Sequence, residues 1–353
     1  MITSRHFVRA AAVFALVVAP GVLAGQRSVP GQPPSGTQIL LLGTAAGPPL
    51  RADRSEPATL LIVDGRPYLI DCGIGTARRL VKAGIGSETI RTIFLTHLHP
   101  DHTLGLADVL ANDFQEQDRS GPDHTISIYG PPRTKALVDA AYRYISIAYA
   151  VFAADGGGPR GGVPVTTPFS VHEIGEGVIY QDDKIRVVAV ENTHYALMPP
   201  ASRATMKSYA YRFETPHGTI VFTGDTGPSD AVVRLAEGAD VLVSEVEDFA
   251  AVSAFVDRMA QQNHWSPERR NQFKAHLTEE HLDIKDVGQM AATAHVKSVV
   301  LYHWDPADPA TFVAGVGKYF SGPVFGGGDL QRYCLAAGSP TDGSARPPLH
   351  RCE

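Results

Sequence analysis

One short segment of the chain has an unusual density of side chains that bind metal ions. Residues 96–102 read T-H-L-H-P-D-H and contain three histidines and one aspartate. The apolar run 91–96 that leads into them predicts a buried strand, and a loop at the end of a strand can aim several side chains at one point. Imidazole nitrogens and carboxylate oxygens are ligands that suit zinc and similar divalent ions. We therefore interpret four side chains as metal ligands rather than as a solvated loop: His97, His99, Asp101 and His102.

Three later strand patterns also stop at a single residue of a ligand type. The apolar runs 184–193, 218–224 and 298–302 are followed by His194, Asp225 and His303. One such histidine usually has no chemical role, but three endings in this order after H-x-H-x-D-H reinforce one another. One cluster cannot supply the ligands of two metal ions, so the sequence predicts that these later residues complete a two-metal site.

This set of motifs resembles the metallo-β-lactamase superfamily over residues 37–330. The resemblance implies an αββα sandwich, with two packed mixed sheets flanked by helices and the metals at the edge between the sheets. It also implies a division of ligands. One ion takes His97, His99 and His194, the second takes Asp101, His102 and His303, and Asp225 bridges both.

The resemblance also implies a chemistry. Two divalent ions, zinc in the first instance and manganese or iron as alternatives, share a hydroxide that attacks the substrate. Asp71 resembles a family position that supports the metal-binding histidines; the alternative is an aspartate that caps a turn.

Within the superfamily, the chain is most similar to the tRNase Z-like phosphodiesterases. The similarity lies in L-G-T at 42–44, I-Y-G-P-P at 128–132 and the stretch that follows Asp225. H-L-T at 276–278 resembles the family's His-Ser-Thr element. This likeness implies that His276 protonates the leaving oxygen with Glu245 as its partner, and Asp101 is counted with them as catalytic. The alternative for His276 is a surface histidine beside two glutamates.

Other features depart from that branch. The family's His-Glu pair reads Ser244-Glu245, and Trp304-Asp305-Pro306 replaces a polar phosphate-binding run. The formal net charge is −6 and no run of Lys or Arg stands out, so a broad surface for nucleic acid is not expected. We expect a small-molecule substrate and no nucleic-acid partner. Related enzymes are often dimers, which leaves a homodimer open.

The elements that must position these residues read as one α/β domain with two packed sheets, over residues 37–338. Residues 58–65 and 67–73 predict a hairpin that turns at Asp64-Gly65. A second hairpin is predicted at Pro216-His217-Gly218, and a helix over 282–296 precedes the last ligand strand. The remaining residues, 339–353, are assigned to a C-terminal tail.

The N-terminus has the pattern of a secretory signal peptide over residues 1–24. Basic residues precede an apolar stretch, 10–19, which is followed by a small-residue cleavage site. An uncleaved anchor is the alternative, but 10 residues are short for a membrane span, which needs ~20. Residues 25–36 read as a linker. These features predict a periplasmic or secreted protein without stable membrane insertion. In an oxidising compartment Cys334 and Cys352 could form a disulfide; the sequence leaves open whether they pair or stay free.

Aromatic residues on a predicted helix leave two interpretations open. Tyr142, Tyr144, Tyr149 and Phe152 precede a glycine-rich segment, 156–162, and either roof the site or pack into the core. Trp304, which follows the ligand His303, is a further candidate to line the substrate pocket. Whether residues 141–170 act as a lid is not decided by the sequence.

The sequence thus predicts an exported binuclear zinc hydrolase acting on a small phosphodiester or ester. A β-lactamase or lactonase is the alternative, although Asp225 stands where many β-lactamases carry a cysteine. A third possibility is a metal-binding protein that has lost catalysis. The loss of a metal ligand would favour it, but all seven ligands of the motif set are present. A di-iron redox protein is a fourth possibility. Such proteins usually have an attached flavin domain and more carboxylate ligands, and neither is seen in this sequence.

Overall fold

The structure is a computed structural model that describes residues 36–47, 49–112, 125–157, 168–304, 308–336 and 349–352. The predicted signal peptide (1–24) and nearly all of the predicted linker (25–36) lie outside these ranges. Most of the glycine-rich segment 156–162 and most of the C-terminal tail 339–353 also lie outside them.

The described residues contain fifteen strands. In chain order they are β1 (Gly36–Gly43), β2 (Ala58–Val63), β3 (Arg66–Ile70), β4 (Thr92–Phe94), β5 (Ser127–Gly130), β6 (Ser170–Glu173), β7 (Gly177–Gln181), β8 (Arg186–Glu191), β9 (Tyr209–Thr215), β10 (Gly218–Phe222), β11 (Val241–Ser244), β12 (Val299–Leu301), β13 (Val324–Gly326), β14 (Arg332–Ala336) and β15 (His350–Cys352).

These strands form two mixed sheets. The first has the order β15-β14-β1-β2-β3-β4-β5-β6, and the second has the order β13-β12-β11-β10-β9-β8-β7. Strands β3 to β6 are parallel in the first sheet, and β10 to β13 are parallel in the second. Parallel strands deliver their carboxyl ends to one edge, which is where polar residues follow them.

The helices are α1 (Thr76–Lys82), α2 (Pro100–Thr103), α3 (which includes residues 106–112), α4 (Thr134–Ala154), α5 (Pro200–Arg203), α6 (Asp230–Leu235), α7 (Phe249–Gln262), α8 (Pro267–Glu279), α9 (Ile284–Thr293) and α10 (Pro309–Val316). A 3-10 turn covers Ser87–Thr89. By length and composition α4 would suffice to cross a membrane, but Val138, Tyr142 and Ile145 bury one of its faces.

Three apolar clusters hold the layers together. One lies between the sheets and includes Phe94 from the first and Phe213 from the second, whose rings meet edge to face at 5.3 Å. A second packs the outer face of the first sheet against α1, α3 and α4, and a third packs the second sheet against α6, α9 and α10. Each fully buried large apolar side chain contributes about 1.5–3 kcal/mol. The result is the predicted αββα sandwich.

The local turns follow the sequence signals. Asp64 and Gly65 connect β2 to β3 with φ angles of 47° and 83°, the left-handed conformation that a two-residue hairpin turn requires. The second predicted hairpin also forms, since β9 pairs with β10 directly after Thr215. Cys334 and Cys352 form a disulfide that ties β15 to β14, with their Cα atoms 5.9 Å apart.

Candidate metal centre

All seven predicted ligands converge at the edge between the sheets. His97 and His99 follow β4, Asp101 and His102 lie on the short helix α2, and the other three follow β8, β10 and β12. They form two groups, and within each group the ligand atoms lie within 4.8 Å of one another. The first group is His97, His99, His194 and Asp225, and the second is Asp101, His102, Asp225 and His303.

In the first group, imidazole nitrogens face each other and Asp225. His99 Nδ1 and His194 Nε2 are 3.0 Å apart, and Asp225 Oδ2 lies 3.8 Å from His97 Nε2 and 3.9 Å from His194 Nε2. Burial lowers the pKa of His97 and of His194 well below the ordinary value. Both rings are therefore neutral and keep a lone pair for a ligand.

In the second group, the same oxygen of Asp225 is the centre. It lies 3.3 Å from His102 Nε2 and 3.2 Å from His303 Nε2, and His303 Nε2 lies 3.4 Å from Asp101 Oδ2. Burial opposes ionisation of Asp225, but His102 and His303 outweigh it and hold the pKa of Asp225 well below the ordinary value. Asp225 is thus a buried carboxylate shared by both groups.

Unpaired atoms in the two groups fit metal ions. Within the described part of the chain, three buried atoms that point into the groups have no hydrogen-bond partner: His97 Nε2, His102 Nε2 and Asp225 Oδ1. Buried polar atoms rarely stay unpaired, because losing water without a replacement costs about 1–3 kcal/mol each. A cation between them would satisfy these atoms, and the donor set suits divalent ions. The residues therefore fit two such ions.

Asp71 orients the ligands as predicted. Its Oδ2 atom accepts a hydrogen bond from His102 Nδ1 at 2.8 Å, and its Oδ1 atom accepts one from the Thr96 amide at 2.8 Å. Since a carboxylate only accepts, His102 must carry a proton on Nδ1, which leaves Nε2 as the atom that faces the site and would bind an ion there. Asp71 has a φ of 56°, an uncommon conformation held here by these contacts.

Sequence reasoning missed a second support, Glu280. Its backbone carbonyl accepts from His194 Nδ1 at 2.9 Å and so directs His194 Nε2 toward the site. Its side chain accepts from the Leu197 amide at 2.7 Å and from His276 Nδ1 at 2.7 Å. This role could not be predicted from the sequence, because every residue has a backbone carbonyl whatever its side chain.

The predicted pairing of His276 with Glu245 is wrong. Glu245 is buried and is bound by His281 Nδ1 and by the amide of Thr226, each at 2.5 Å. His276 pairs with Glu280 instead, and lies at the mouth with a side chain that is 35% exposed. His281 directly precedes Leu282 and the α9 cap Asp283, so proximity to that helix is the signal that distinguishes it from His276.

The Glu245–His281 pair lies next to the second metal group. The His281 ring stacks on that of His303, with centroids 5.9 Å apart. Burial raises the pKa of Glu245 well above the ordinary value and lowers the pKa of His281 to about 3. Both shifts disfavour charge, so the two residues form a neutral, proton-carrying pair. Perturbed titratable groups of this kind concentrate at catalytic sites.

Two of the four aromatic residues of α4 pack in the core. Tyr142 is buried in the core between α4 and the first sheet, and Tyr149 packs against that core. The Tyr144 side chain is 74% exposed. Trp304 is buried against Phe312 rather than lining the site. Of the two interpretations, core packing is confirmed for Tyr142 and Tyr149.

Most of the chain is similar to known proteins of one family. A family model described as a β-lactamase superfamily domain matches residues 66–304. Ribonuclease Z of Mycobacterium bovis (strain BCG / Pasteur 1173P2) is 28% identical over 301 residues, which cover 84% of this chain and 97% of that protein. Ribonuclease Z of Mycolicibacterium gilvum (strain PYR-GCK) is 31% identical over 212 residues, which cover 59% of this chain and 68% of that protein.

Solved structures share the fold. The metallo-β-lactamase fold protein YhfI from Bacillus subtilis has a TM-score of 0.61 at 17% identity, over 84% of this chain and 99% of that one. The short form of human tRNase Z has a TM-score of 0.58 at 21% identity, over 85% of this chain and 100% of that one.

The fold and the metal-binding groups define a metal-dependent hydrolase. The chain belongs to the β-lactamase superfamily and, within it, to the ribonuclease Z family.

Proposed function

We propose that the protein is an exported binuclear zinc hydrolase that cleaves a small phosphodiester or ester-type substrate. One observation carries the proposal: Asp225 is shared by two groups of imidazole and carboxylate ligands at the edge between the sheets. Two divalent ions bound there supply Lewis-acid chemistry, since they lower the pKa of a water and neutralise charge on the reacting group. Zinc is proposed because five of the seven ligands are histidines, whereas carboxylate-rich sites suit manganese.

The chain's own residues complete this chemistry. His97, His99 and His194 enter the site as neutral rings, which leaves their lone pairs free for an ion. His281, held by Glu245, lies beside the second group and offers a proton at the side where a leaving oxygen departs. We therefore assign the proton-donor role to His281, and His276 at the mouth is placed to contact the substrate.

A hydrolysis panel tests the proposal. The zinc-loaded mature protein is assayed with bis-p-nitrophenyl phosphate, p-nitrophenyl sulfate, p-nitrophenyl acetate, a lactone and nitrocefin, each with and without a chelator. Chelator-sensitive cleavage of the phosphodiester or the ester supports the proposal. Cleavage of the lactone or nitrocefin alone would replace it with the lactonase or β-lactamase alternative. No turnover with two ions bound would contradict it.

RNA is the second candidate substrate. The relatives named ribonuclease Z align over 97% of the length of the Mycobacterium bovis protein, which puts the expectation of no nucleic-acid partner in doubt. The net charge of −6 argues for a small substrate instead. A precursor tRNA with a 3′ extension distinguishes the two, since chelator-sensitive release of the extension at nanomolar enzyme would favour RNA.

Export is proposed from two observations. Basic residues, an apolar stretch and a small-residue site occupy the first 24 positions, and Cys334 pairs with Cys352, as is usual in an oxidising compartment. N-terminal sequencing of the protein from fractionated cells tests this. A chain that starts near Gly25 in the exported fraction supports it, and an intact chain in the cytoplasm contradicts it.

A homodimer is proposed through α4. Tyr144, Ile147 and Val151 form an exposed apolar row on this helix, 74%, 65% and 69% exposed, respectively, with the i, i+3, i+7 spacing of one face. A second copy of the helix would cover the row. Light scattering after size exclusion is expected to give twice the mass of the chain, and Ile147→Asp is expected to give a monomer. A monomeric wild type would contradict the dimer.

A further inference from the structure

We propose that Arg54, in the loop between β1 and β2, is a positioning residue for the metal ligand His303, which it holds through the neighbouring residue Trp304. The proposal rests on the proposed two-metal function and specifies how one ligand of the second group is aimed. It does not depend on which substrate is cleaved.

The ring of His303 lacks the hydrogen bond that usually orients a ligating histidine. His102, in the same group, is held by the bond from its Nδ1 atom to Asp71 at 2.8 Å. Among the described residues, His303 Nδ1 is buried and has no such partner, and Glu245 Oε2 lies 4.0 Å away, beyond hydrogen-bond range. A bond on that nitrogen normally fixes the direction of the ring, so His303 must be aimed in another way.

A ring stack fixes the tilt of His303 but not its position. The His281 ring lies against it with centroids 5.9 Å apart and planes 11° from parallel. Stacked rings can slide past each other, so the stack leaves the distance to the other ligands open. His303 Nε2 nevertheless lies 3.2 Å from Asp225 Oδ2 and 3.4 Å from Asp101 Oδ2. The backbone of His303 is what holds the ring at these distances.

That backbone is in an uncommon conformation. The φ angle of His303 is 48°, in the left-handed region that few residues other than glycine adopt. Strand β12 ends at Leu301, so the ladder of the sheet does not extend to the ligand. A residue keeps such a conformation only where its surroundings over-determine it. The contacts of the next residue, Trp304, supply this constraint.

Trp304 is held by contacts from three segments. Its amide donates to the carbonyl of Thr44 at 3.2 Å, and its ring nitrogen donates to the carbonyl of Gly327 at 3.1 Å. Arg54 adds two more contacts: Nη1 donates to the Trp304 carbonyl at 2.8 Å, and the guanidinium carbon lies 3.9 Å from the centre of the indole ring. A guanidinium over an indole is a favourable cation–π contact. Arg54 thus binds both the backbone and the ring of the residue that follows the ligand.

Arg54 is presented from an anchored loop. The amide of Ser55 donates to Asp329 Oδ2 at 2.7 Å, and the hydroxyl of Thr44 donates to Asp329 Oδ1 at 2.8 Å. Asp329 also pairs with Arg79 on α1 at 2.7 Å. These contacts fix the loop at two points, so Arg54 connects an anchored part of the first sheet to a ligand that follows a strand of the second.

Cobalt binding to the metal-free protein tests the proposal. Cobalt(II) takes the same imidazole and carboxylate ligands as zinc, and its visible absorption reports each bound ion. We expect two binding steps in the wild type. In Arg54→Ala one step should weaken about 10-fold to 100-fold, the usual loss when a partner that orients a ligand is removed, and the other should change little. Arg54→Lys should lie between the two, since lysine keeps a charged donor but not the planar group that stacks.

Two controls separate positioning from a general loss of stability. Arg212 Nη1 also donates to a backbone carbonyl at 2.8 Å, that of Leu235, which has no metal ligand next to it in the chain. Arg212→Ala is therefore expected to bind cobalt as the wild type does. In the His303→Ala background, Arg54→Ala should have no further effect on cobalt affinity, because the ring through which Arg54 acts is already absent.

The outcomes separate this proposal from the proposed function. Unchanged binding in Arg54→Ala, or in Arg54→Lys if the alanine variant does not fold, would overturn the positioning role and leave the hydrolase proposal standing. Equal weakening of both steps, or a further loss in the His303→Ala background, would also overturn it. Selective weakening of one step supports it even if no substrate is cleaved, a result that would contradict only the hydrolase. A wild type that binds fewer than two ions would overturn it together with the two-metal site.

Discussion

The hydroxyl of Tyr211, on β9 of the second sheet, donates a hydrogen bond of 2.6 Å to the backbone carbonyl of Leu95 in the first sheet. Leu95 lies two positions before the ligand His97. The amide of Tyr209 also donates to the carbonyl of Thr96 at 3.0 Å. The segment that starts the ligand cluster is therefore bonded to the opposite sheet, which couples the packing of the two sheets to the position of His97.

Replacing Tyr211 with phenylalanine is expected to lower the free energy of unfolding by about 1–2 kcal/mol, because it removes a partner of a buried carbonyl. Urea denaturation of the zinc-free protein measures the change. Tyr319→Phe, which changes a tyrosine that is 44% exposed and lies outside the proposed dimer face, serves as the control and is expected to have no effect. Equal stabilities of the two variants would argue against a coupling through Leu95.

Removing the shared carboxylate is expected to be the most damaging change at the site. Asp225→Ala should abolish turnover and leave fewer than two zinc ions per chain, since Asp225 belongs to both ligand groups. Elemental analysis after dialysis against metal-free buffer measures this. Asp230→Ala, at an exposed carboxylate on α6, is the matched control. Two bound ions and full activity in Asp225→Ala would disprove the ligand assignment.

Asp71→Asn tests the positioning of His102. Asparagine tolerates the left-handed conformation at this position, but its amide group cannot hold the histidine proton as a carboxylate does. We expect metal affinity to fall about 10-fold to 100-fold, in line with the loss of partners that orient metal ligands. Competition with a chromogenic chelator measures the affinity. An unchanged affinity would mean that His102 needs no such support.

The assignment of the proton donor predicts a difference between two histidines. His281→Ala is expected to slow the cleavage of substrates with basic leaving groups more than that of p-nitrophenyl substrates, because an acid helps most when the departing oxygen is basic. His276→Ala should slow both alike. A plot of log kcat/KM against leaving-group pKa measures the slope for each variant. A steeper slope for His276→Ala would return the role to that residue.

Asp182, at the end of the sandwich remote from the metals, predicts a pH dependence of stability. Its carboxylate accepts from the hydroxyls of Tyr68 and Tyr180 and from the amide of Ile185, at 2.6, 2.8 and 2.8 Å. Burial opposes the charge, but these hydrogen bonds win and lower the pKa of Asp182 to about 2. A lowered pKa stabilises the fold above the unfolded value of about 4, and this contribution is lost as the pH falls toward 2.

Asp182→Asn should therefore cost roughly 1–2 kcal/mol at pH 7, part of the interaction being screened by solvent. The difference from wild type should shrink between pH 4 and pH 2. Denaturant titrations at pH 7, 4 and 2.5 measure it. A difference that stays constant with pH would show that packing, not charge, is lost in the variant.

The metal ligands could be predicted because each follows an apolar strand. The strand patterns before His194, Asp225 and His303 are visible in the sequence, and parallel strands bring their ends to one edge. The glutamate–histidine pair was misassigned because two His-Leu sequences, at 276 and 281, lie only five residues apart before α9. Only the structure shows which ring reaches Glu245.

The helices α7 and α8 were not predicted, for different reasons. In α7 the buried residues Val252, Val256 and Ala260 repeat every four positions, a periodicity that is typical of an amphipathic helix. α8 has no buried residue and therefore no apolar face for a pattern to reveal. Its placement depends on contacts that join distant parts of the fold, such as that of the Glu280 side chain, at its C-terminal end, with the amide of Leu197.

The construction of α8 has a consequence for how the protein can change over time. The ligands that follow strands depend on the packing of the core. His276, which lies beside His99 and His194, is instead on α8, a helix that contributes no buried residue to the core. Insertions and substitutions in residues 249–279 can therefore alter what enters the site while the ligands stay in place. Exchanging this hairpin between relatives is a direct route to hydrolases with new substrates on an unchanged metal-binding scaffold.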